Sequence, residues 1–368
     1  MEVSNNQLHL ELHTAVGDTR PVYIVGNFND WQPADPLFQF KQVRDGVYSF
    51  SFPEDMILPA PLEYKYTRGD WEHIALDEYG NLPVNRVLSQ PKGKFTDRVL
   101  HWKKDGLNHE PQFLPIIELL AKDFEIPQLG KKRRILALLP YDYHEQTKSY
   151  PVLYLQDAQN LFDEHSPYGN WGIDKKLAIL AKQQKGDLII IAIDHGEQER
   201  IKEFTPTNST KLGPGDGKKY VRFIADTLKP HVDKKYRTLP DRLHTGVGGS
   251  SMGGLISIYA GLMYPEVYGK LMIFSPSLWV TPNIPFGAIG FYNPYPTDIY
   301  LYAGSNESKY MVPNANKFKK TLEKQGIDNA AINFKLTIDP LGRHTEARWG
   351  TEFPRAVDWL FFDKTLRQ

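Results

Sequence analysis

The stretch Thr245–Gly254, T-G-V-G-G-S-S-M-G-G, constrains the fold of this chain more than any other. Within it, Gly249–Gly253 reads G-x-S-x-G, a pattern that places a serine on a tight turn between a strand and a helix. Glycines tolerate the unfavourable backbone angles of such a turn and leave room where Cβ atoms would clash. Helical apolar spacing follows the turn, with Leu255, Ile256, Ile258, Tyr259 and Leu262. We therefore expect Ser251 to project into solvent, with the N–H of Met252 free to bind a developing oxyanion.

Strand and helix patterns alternate along residues 115–368. The run Leu188–Ile193 is continuously aliphatic, as a strand covered on both faces requires. Such alternation predicts an α/β domain with a mainly parallel, doubly wound sheet. The other predicted strands are Ile135–Leu139, Val152–Leu155, His244–Val247, Lys270–Phe274, Ile299–Tyr302 and Phe334–Ile338. The predicted helices are Ile173–Lys182, Tyr220–Asp233, 314–325 and 353–362.

Residues 1–102 have a different pattern and predict a small all-β sandwich. Short alternating segments are separated by Gly, Pro, Asn and Asp turns. Residues 103–114 are polar, contain Gly and Pro and lack periodicity, which is typical of a linker. The chain is thus expected to hold two domains, 1–102 and 115–368. The predicted strands of the first are Leu8–Leu12, Val22–Val25, Val47–Phe52 and Leu62–Tyr66.

The order of several polar and aromatic residues in the first domain resembles starch- and glycogen-binding modules of the family-20 and family-48 type. These immunoglobulin-like modules stack two tryptophans on glucose rings, while a lysine and an asparagine bond sugar hydroxyls. The resemblance implies α-glucan binding by Trp31, Trp71, Lys65 and Asn85. The insertion His73–Val84 between Trp71 and Asn85 departs from the modules. The alternative is that both tryptophans seal the sandwich and the domain is structural.

An activated serine needs a base, and the base needs an acid that orients it. On a parallel sheet these partners follow later strands, in the order serine, acid, histidine. Glu307 follows the strand Ile299–Tyr302 in A-G-S-N-E, and His344 follows Phe334–Ile338 in D-P-L-G-R-H-T-E. We therefore expect Ser251, His344 and Glu307 to form a catalytic triad. Asp298 and Asp339 are the competing acids.

A second backbone N–H for the oxyanion is expected after an early strand. The strand Val152–Leu155 is followed by Q-D-A-Q-N-L-F, so the candidates are the N–H groups of Ala158 and Gln159.

Several motifs resemble the esterase D-like branch of the α/β-hydrolases, which includes enterochelin, feruloyl and acetylxylan esterases and mycolyltransferases. The motifs are V-L-Y-L-Q-D-A-Q-N-L-F-D, I-D-H-G-E-Q-E-R-I-K-E-F-T-P, G-G-S-S-M-G-G-L, F-S-P-S-L-W and G-R-H-T-E-A-R-W. The resemblance implies an α/β-hydrolase fold, with Arg200 and Glu203 as an ion pair that shapes the pocket. Ala158 stands where the family usually has glycine. Further candidates for the pocket lining are Ser277, Trp279 and Trp349.

Composition narrows the classes of function. The net charge is zero, so nothing indicates nucleic acid or an anionic membrane as a partner. Cysteine is absent and no H-E-x-x-H motif occurs, so neither a metal nor another cofactor is expected. No basic segment with an apolar core opens the sequence, and a cytoplasmic location is expected.

These observations predict a serine carboxylesterase acting on a small-molecule or glycan ester, with a sugar- or polysaccharide-linked acyl group as one candidate. Three alternatives remain open at this point. They are an acyltransferase to a sugar hydroxyl, a siderophore esterase, and a glycan-binding protein without catalytic activity.

Overall fold

The computed structural model describes residues 7–104, 106–167, 169–206, 213–280, 295–324 and 332–363. The chain divides into two compact units, Met1–Pro111 and Gln112–Gln368. The division falls within the segment 103–114 that was expected to be a linker. That segment includes a short 3-10 helix, Pro111–Phe113.

The described part of the first unit consists of strands and short 3-10 helices. Its sheets have the orders β3-β4-β1-β8, β2-β5-β7 and β6-β9. All of these strand pairs are antiparallel except β1 with β8, which are parallel. The strands are β1 Leu8–Thr14, β2 Tyr23–Gly26, β3 Lys41–Arg44, β4 Val47–Ser51, β5 Leu62–Thr67, β6 Ala75–Leu76, β7 Arg86–Leu88, β8 Gly93–Val99 and β9 His101–Trp102.

The two larger sheets of this unit bury alternate residues in one shared core. Leu10 and Phe50 come from the four-stranded sheet, and Ile24 and Tyr64 come from the three-stranded sheet. Two sheets that share an apolar core in this way form the packing expected of a sandwich. An immunoglobulin-like arrangement of the strands stays a prediction.

The second unit is built on one eight-stranded sheet of order β10-β11-β13-β12-β14-β15-β16-β17. The strands from β12 to β17 are parallel, whereas β11 is antiparallel to both of its neighbours. The strands are β10 Ile116–Ile126, β11 Lys131–Leu139, β12 Val152–Gln156, β13 Ile189–Ile193, β14 Thr245–Ser250, β15 Lys270–Phe274, β16 Thr297–Gly304 and β17 Ile332–Asp339.

Helices connect the parallel strands, and the described part of this unit is an α/β fold consistent with the α/β-hydrolase architecture. The helices are α1 Ile173–Lys182, α2 Arg200–Glu203, α3 Gly217–Phe223, α4 Lys229–Lys235, α5 Met252–Met263, α6 Met311–Lys324 and α7 Glu346–Val357. A π-helical turn, Ile224–Leu228, joins α3 to α4, and another, Asp358–Phe362, follows α7.

Several elements differ from the sequence expectations. The strands β3 and β6 to β9 of the first unit and the short helix α2 were not predicted. The strand β10 was missed because it is an edge strand with two register shifts, so its apolar residues do not alternate strictly. The last helix begins at Glu346 rather than at 353. Pro354 lies inside α7.

The strand order places a crevice at the carboxyl ends of β12 and β14. The chain runs from β12 to β13 on one side and then returns to β14 on the other side of β12. Ligands of open α/β sheets bind outside the carboxyl ends of the strands at such a reversal. Loops after β12 and β14 therefore border the expected site. Within the described residues, no helix is both long and apolar enough to cross a membrane.

Candidate active site

Ser251 lies at the tip of the turn between β14 and α5. Its backbone has φ 55° and ψ −118°, a conformation that non-glycine residues rarely adopt. Its N–H donates to the carbonyl of Phe274 over 2.9 Å, which fixes the turn against β15. A Cβ added at Gly249 would lie 3.0 Å from the carbonyl carbon of Gly253. Glycines at this turn thus permit the close approach that presents the serine.

His344 bridges Ser251 and Glu307. Its Nε2 lies 3.0 Å from Ser251 Oγ, and its Nδ1 lies 2.7 Å from Glu307 Oε2. An ionised carboxylate can only accept hydrogen bonds, so in the neutral imidazole Nδ1 carries the proton. Nε2 then accepts a hydrogen bond from the hydroxyl of Ser251. The Glu307 side chain is 1% exposed, while that of His344 is 40% exposed. The three side chains come from the loops that follow β14, β16 and β17.

Glu307 has further hydrogen-bond donors. Its Oε1 accepts from the hydroxyl of Ser275 over 2.6 Å and from the N–H of Gly304 over 2.7 Å. Ser275 was not among the residues predicted from the sequence. Its position one residue beyond the strand Lys270–Phe274 was the signal that could have identified it.

Trp349 was expected to line the pocket, but the structure buries it. It is 3% exposed, and its indole Nε1 donates to Ser275 Oγ over 3.0 Å. Its ring also packs edge-to-face on His344, with centroids 4.8 Å apart. Trp349 therefore packs against the cluster of Ser251, His344 and Glu307 and does not line an open pocket.

The predicted oxyanion donors begin two helical segments. Met252 starts α5, so its N–H has no acceptor within the helix, and Ala158 starts the 3-10 helix Ala158–Asn160. A Cβ added at Gly253 would lie 3.0 Å from Asp157 Oδ2, so the loop after β12 lies against the first turn of α5.

The backbone of this loop explains how alanine replaces the glycine usual in the family. The left-handed conformation falls on Asp157, with φ 62° and ψ 52°, and not on Ala158. Gln159 anchors the loop, because its Oε1 accepts from the N–H of His195 over 3.0 Å.

Arg200 and Glu203 do not form the expected ion pair. Arg200 donates to both carboxylate oxygens of Asp157, over 2.7 and 2.8 Å. Glu203 is fully buried and accepts from Arg133 and Lys131 instead. Burial alone would lower the pKa of Arg200, but the charge and hydrogen bonds of Asp157 raise it above its ordinary value. Arg200 thus holds the loop that carries Ala158.

Ser277 and Trp279 follow β15 near the nucleophile. Ser277 Oγ lies 3.2 Å from Ser251 Oγ, and its N–H donates to the carbonyl of Ser251 over 3.0 Å. Trp279 is 53% exposed. The first residue contacts the candidate nucleophile directly, and the second presents an aromatic surface two residues away.

A pocket of about 410 Å³ borders Ala158. Its charged residues have partners: Arg134 pairs with Asp194, and Glu164 pairs with Lys175. Sequence reasoning missed this pocket because its residues come from distant segments. The lining residues are Arg134, Leu136, Ala158, Phe162, Asp163, Glu164 and His165.

The residues predicted to bind glycan lie on or beside the three-stranded sheet of the first unit. Trp31 follows β2 with φ 58°, and Trp71 begins a 3-10 helix after β5 and is 41% exposed. Lys65 is on β5, where burial lowers its pKa. Asn85 donates to Glu63 over 2.8 Å. Carbohydrate binding by these residues stays a prediction.

Among the described residues, no group of three or more His, Cys, Asp or Glu side chains could hold a metal.

A serine hydrogen-bonded to a histidine–carboxylate pair at the carboxyl edge of an α/β sheet is typical of serine hydrolases. The family described as "Putative esterase" matches residues 126–360, and the chain belongs to this family. It is a serine hydrolase of the carboxylic ester hydrolase type.

Known proteins are similar to this chain over segments of different length. An uncharacterized protein of Bacillus subtilis, YbbA, is 24% identical over 242 residues, 62% of this chain and 92% of YbbA. An α-amylase of Niallia circulans is 37% identical over 87 residues, 23% of this chain but only 6% of the amylase. The solved enterobactin esterase of Shigella flexneri is similar in fold, with a TM-score of 0.52, 16% identity and coverage of 98% of this chain and 95% of that one.

Proposed function

We propose that the second unit hydrolyses carboxylic esters by two-step acyl transfer on Ser251. The observation that carries the proposal is the pair of contacts made by His344, 3.0 Å to Ser251 Oγ and 2.7 Å to Glu307 Oε2. These are the distances at which a base accepts a proton from a nucleophile while an acid fixes the orientation of the base.

In the first step, His344 takes the proton of the Ser251 hydroxyl as the oxygen attacks the ester carbonyl. The tetrahedral oxyanion accepts hydrogen bonds from the N–H groups of Met252 and Ala158. His344 then gives its proton to the departing alcohol, which leaves an acyl-serine. Water repeats the sequence and releases the acid. The 40% exposure of the His344 side chain supports access of water for the second step, and transfer to a sugar hydroxyl stays the alternative.

The paired charges beside the loop after β12 favour a neutral ester. Two arginines that border this loop, Arg200 and Arg134, are each held by a carboxylate, Asp157 and Asp194 respectively. A highly anionic ferric siderophore would need cationic side chains without such partners. A sugar-linked acyl group fits the exposed Trp279 better, since aromatic faces suit the apolar faces of sugar rings.

Glycan binding by the first unit is a second proposal, which the exposed Trp71 and the 87-residue likeness to an α-amylase support. Such binding would hold the enzyme on an α-glucan that carries or adjoins the ester.

A panel of p-nitrophenyl, feruloyl and acetylated-sugar esters tests the catalytic proposal. The expected result is turnover of neutral esters that falls by about a millionfold on replacing Ser251 by alanine, with substrate binding retained. Absence of turnover across the panel, or turnover that persists in Ser251→Ala, would contradict it. Added maltooligosaccharide would reveal acyl transfer as acyl-sugar beside free acid.

A further inference from the structure

Ser275 occupies an unusual position for a residue with a side chain. It follows β15 directly, is completely buried and has φ 43°, within the left-handed region. Its N–H donates to the carbonyl of Tyr302 on β16 over 2.8 Å. Strained residues of this kind persist where the surrounding structure fixes them, and they concentrate at functional sites.

The hydroxyl of Ser275 lies between Trp349 and Glu307, and the direction of both hydrogen bonds is determined by the chemistry of the partners. An indole N–H can only donate, so the 3.0 Å contact with Trp349 Nε1 makes Ser275 Oγ the acceptor. The single proton of Ser275 is then donated to Glu307 Oε1 over 2.6 Å. Both oxygens of Glu307 are thus occupied, since Oε2 accepts from His344 Nδ1.

Trp349 contacts both His344, the proposed base, and Ser275, which donates to the acid Glu307. Its ring meets that of His344 edge-to-face, with centroids 4.8 Å apart and an interplanar angle of 85°. The contacts with Trp349 and Glu307 therefore both restrain the imidazole of His344.

We propose that Ser275 and Trp349 are positioning residues that orient Glu307 and His344 for the reaction at Ser251. The kinetic part of this inference rests on the proposed function. Without the Ser275 hydroxyl, the buried carboxylate keeps only Gly304 N–H and His344 as donors. It then holds the proton shared with His344 more tightly, and its orientation is less firmly fixed. Turnover falls, and the acidic limb of the pH–rate profile moves to higher pH.

Three variants separate the hydrogen bond from the strain and from general packing. Ser275→Gly removes the hydroxyl and relieves the positive φ, and Ser275→Ala removes the hydroxyl alone. Trp349→Phe removes the indole donor together with one ring of the buried side chain and leaves the hydroxyl in place. The control is Ser257→Ala, because Ser257 is equally buried but donates to the carbonyl of Gly253. We expect kcat to fall by about tenfold to a hundredfold in both Ser275 variants, with KM within about twofold, and less in Trp349→Phe. Ser257→Ala keeps the wild-type kcat and profile.

A readout that needs no turnover accompanies the kinetics. The proton on His344 Nδ1 is followed by NMR, where we expect its downfield resonance to shift or broaden in the Ser275 variants and not in Ser257→Ala. An unchanged resonance with wild-type kcat and acidic limb in Ser275→Gly would overturn the inference. A wild-type protein that hydrolyses no ester, but whose resonance still responds to Ser275, would contradict the proposed function while supporting the positioning role.

Discussion

Arg200 grips both carboxylate oxygens of Asp157, over 2.7 and 2.8 Å, and Asp157 is the residue directly before Ala158. Asp157 is 4% exposed and left-handed in its backbone. The ion pair therefore fixes the conformation of the residue from which the proposed oxyanion donor projects.

Replacing Arg200 by methionine should leave this buried carboxylate without its partner and displace the loop. We expect kcat/KM to fall by about tenfold to a hundredfold, less than the loss of a whole oxyanion donor. Added guanidinium should restore part of the activity. The control is Arg222→Met, since Arg222 pairs with Asp226 on an exposed helix face. Equal activity of the two variants would contradict the role given to Arg200.

Glu346 should influence the pH dependence of the reaction. Burial raises the pKa of its carboxyl group, while the charges of His344 and Arg200 oppose this shift. When ionised, Glu346 favours the protonated form of the nearby His344, which is inactive as a base. Glu346→Gln should therefore move the acidic limb of the kcat/KM profile to lower pH, measured with a neutral ester. An unmoved limb, or one moved to higher pH, would contradict this.

The same raised pKa has a consequence for stability. The folded protein binds the proton of Glu346 more tightly than the unfolded chain does. The contribution of Glu346 to the stability of the fold is therefore lost as the pH rises from the ordinary pKa of a glutamate through the raised pKa of Glu346. Glu346→Gln removes that loss. We expect the Tm of the variant to exceed that of the wild type at pH 7 and the difference to shrink toward pH 4. A difference independent of pH would argue against a raised pKa of Glu346.

The placement of the candidate site could be predicted from sequence because each element ends at the same edge of one sheet. Ser251, Glu307 and His344 each follow an apolar strand, and the carboxyl ends of parallel strands meet. The glycines around Ser251 added a local backbone requirement that few turns share. Their catalytic roles stay a proposal, but their loop positions followed from the strand pattern together with the G-x-S-x-G turn.

Side-chain pairing could not be predicted in the same way. Arg200 and Glu203 are spaced as neighbours on a helix, yet each finds a partner on another segment, Asp157 and Arg133. Such pairings depend on side-chain geometry between elements far apart along the chain. The position of Ser275 just beyond a strand indicated that it lies near the site, but its role follows from its contacts with Glu307 and Trp349.

Glycan binding by the first unit predicts different effects for exposed aromatic residues of the two units. Trp71→Ala should weaken retention of the full chain on amylose by about tenfold, as expected for the loss of one aromatic contact with a sugar ring. Tyr310→Ala, which removes an exposed aromatic ring of the second unit that has no proposed contact with sugar, should leave retention unchanged. The measurement is affinity electrophoresis in gels containing amylose. Equal mobility of wild type and Trp71→Ala would speak against the glycan-binding proposal.

The proposed reaction depends on Ser251 being made nucleophilic by His344, whose Nε2 lies 3.0 Å from the serine Oγ. Reaction with a fluorophosphonate, followed by mass spectrometry of the digested protein, tests this most directly. We predict one adduct, on Ser251, that is absent in Ser251→Ala. In His344→Ala the same adduct should form about a hundredfold more slowly or slower still. An unlabelled wild-type protein, or an adduct that forms as fast without His344, would contradict it.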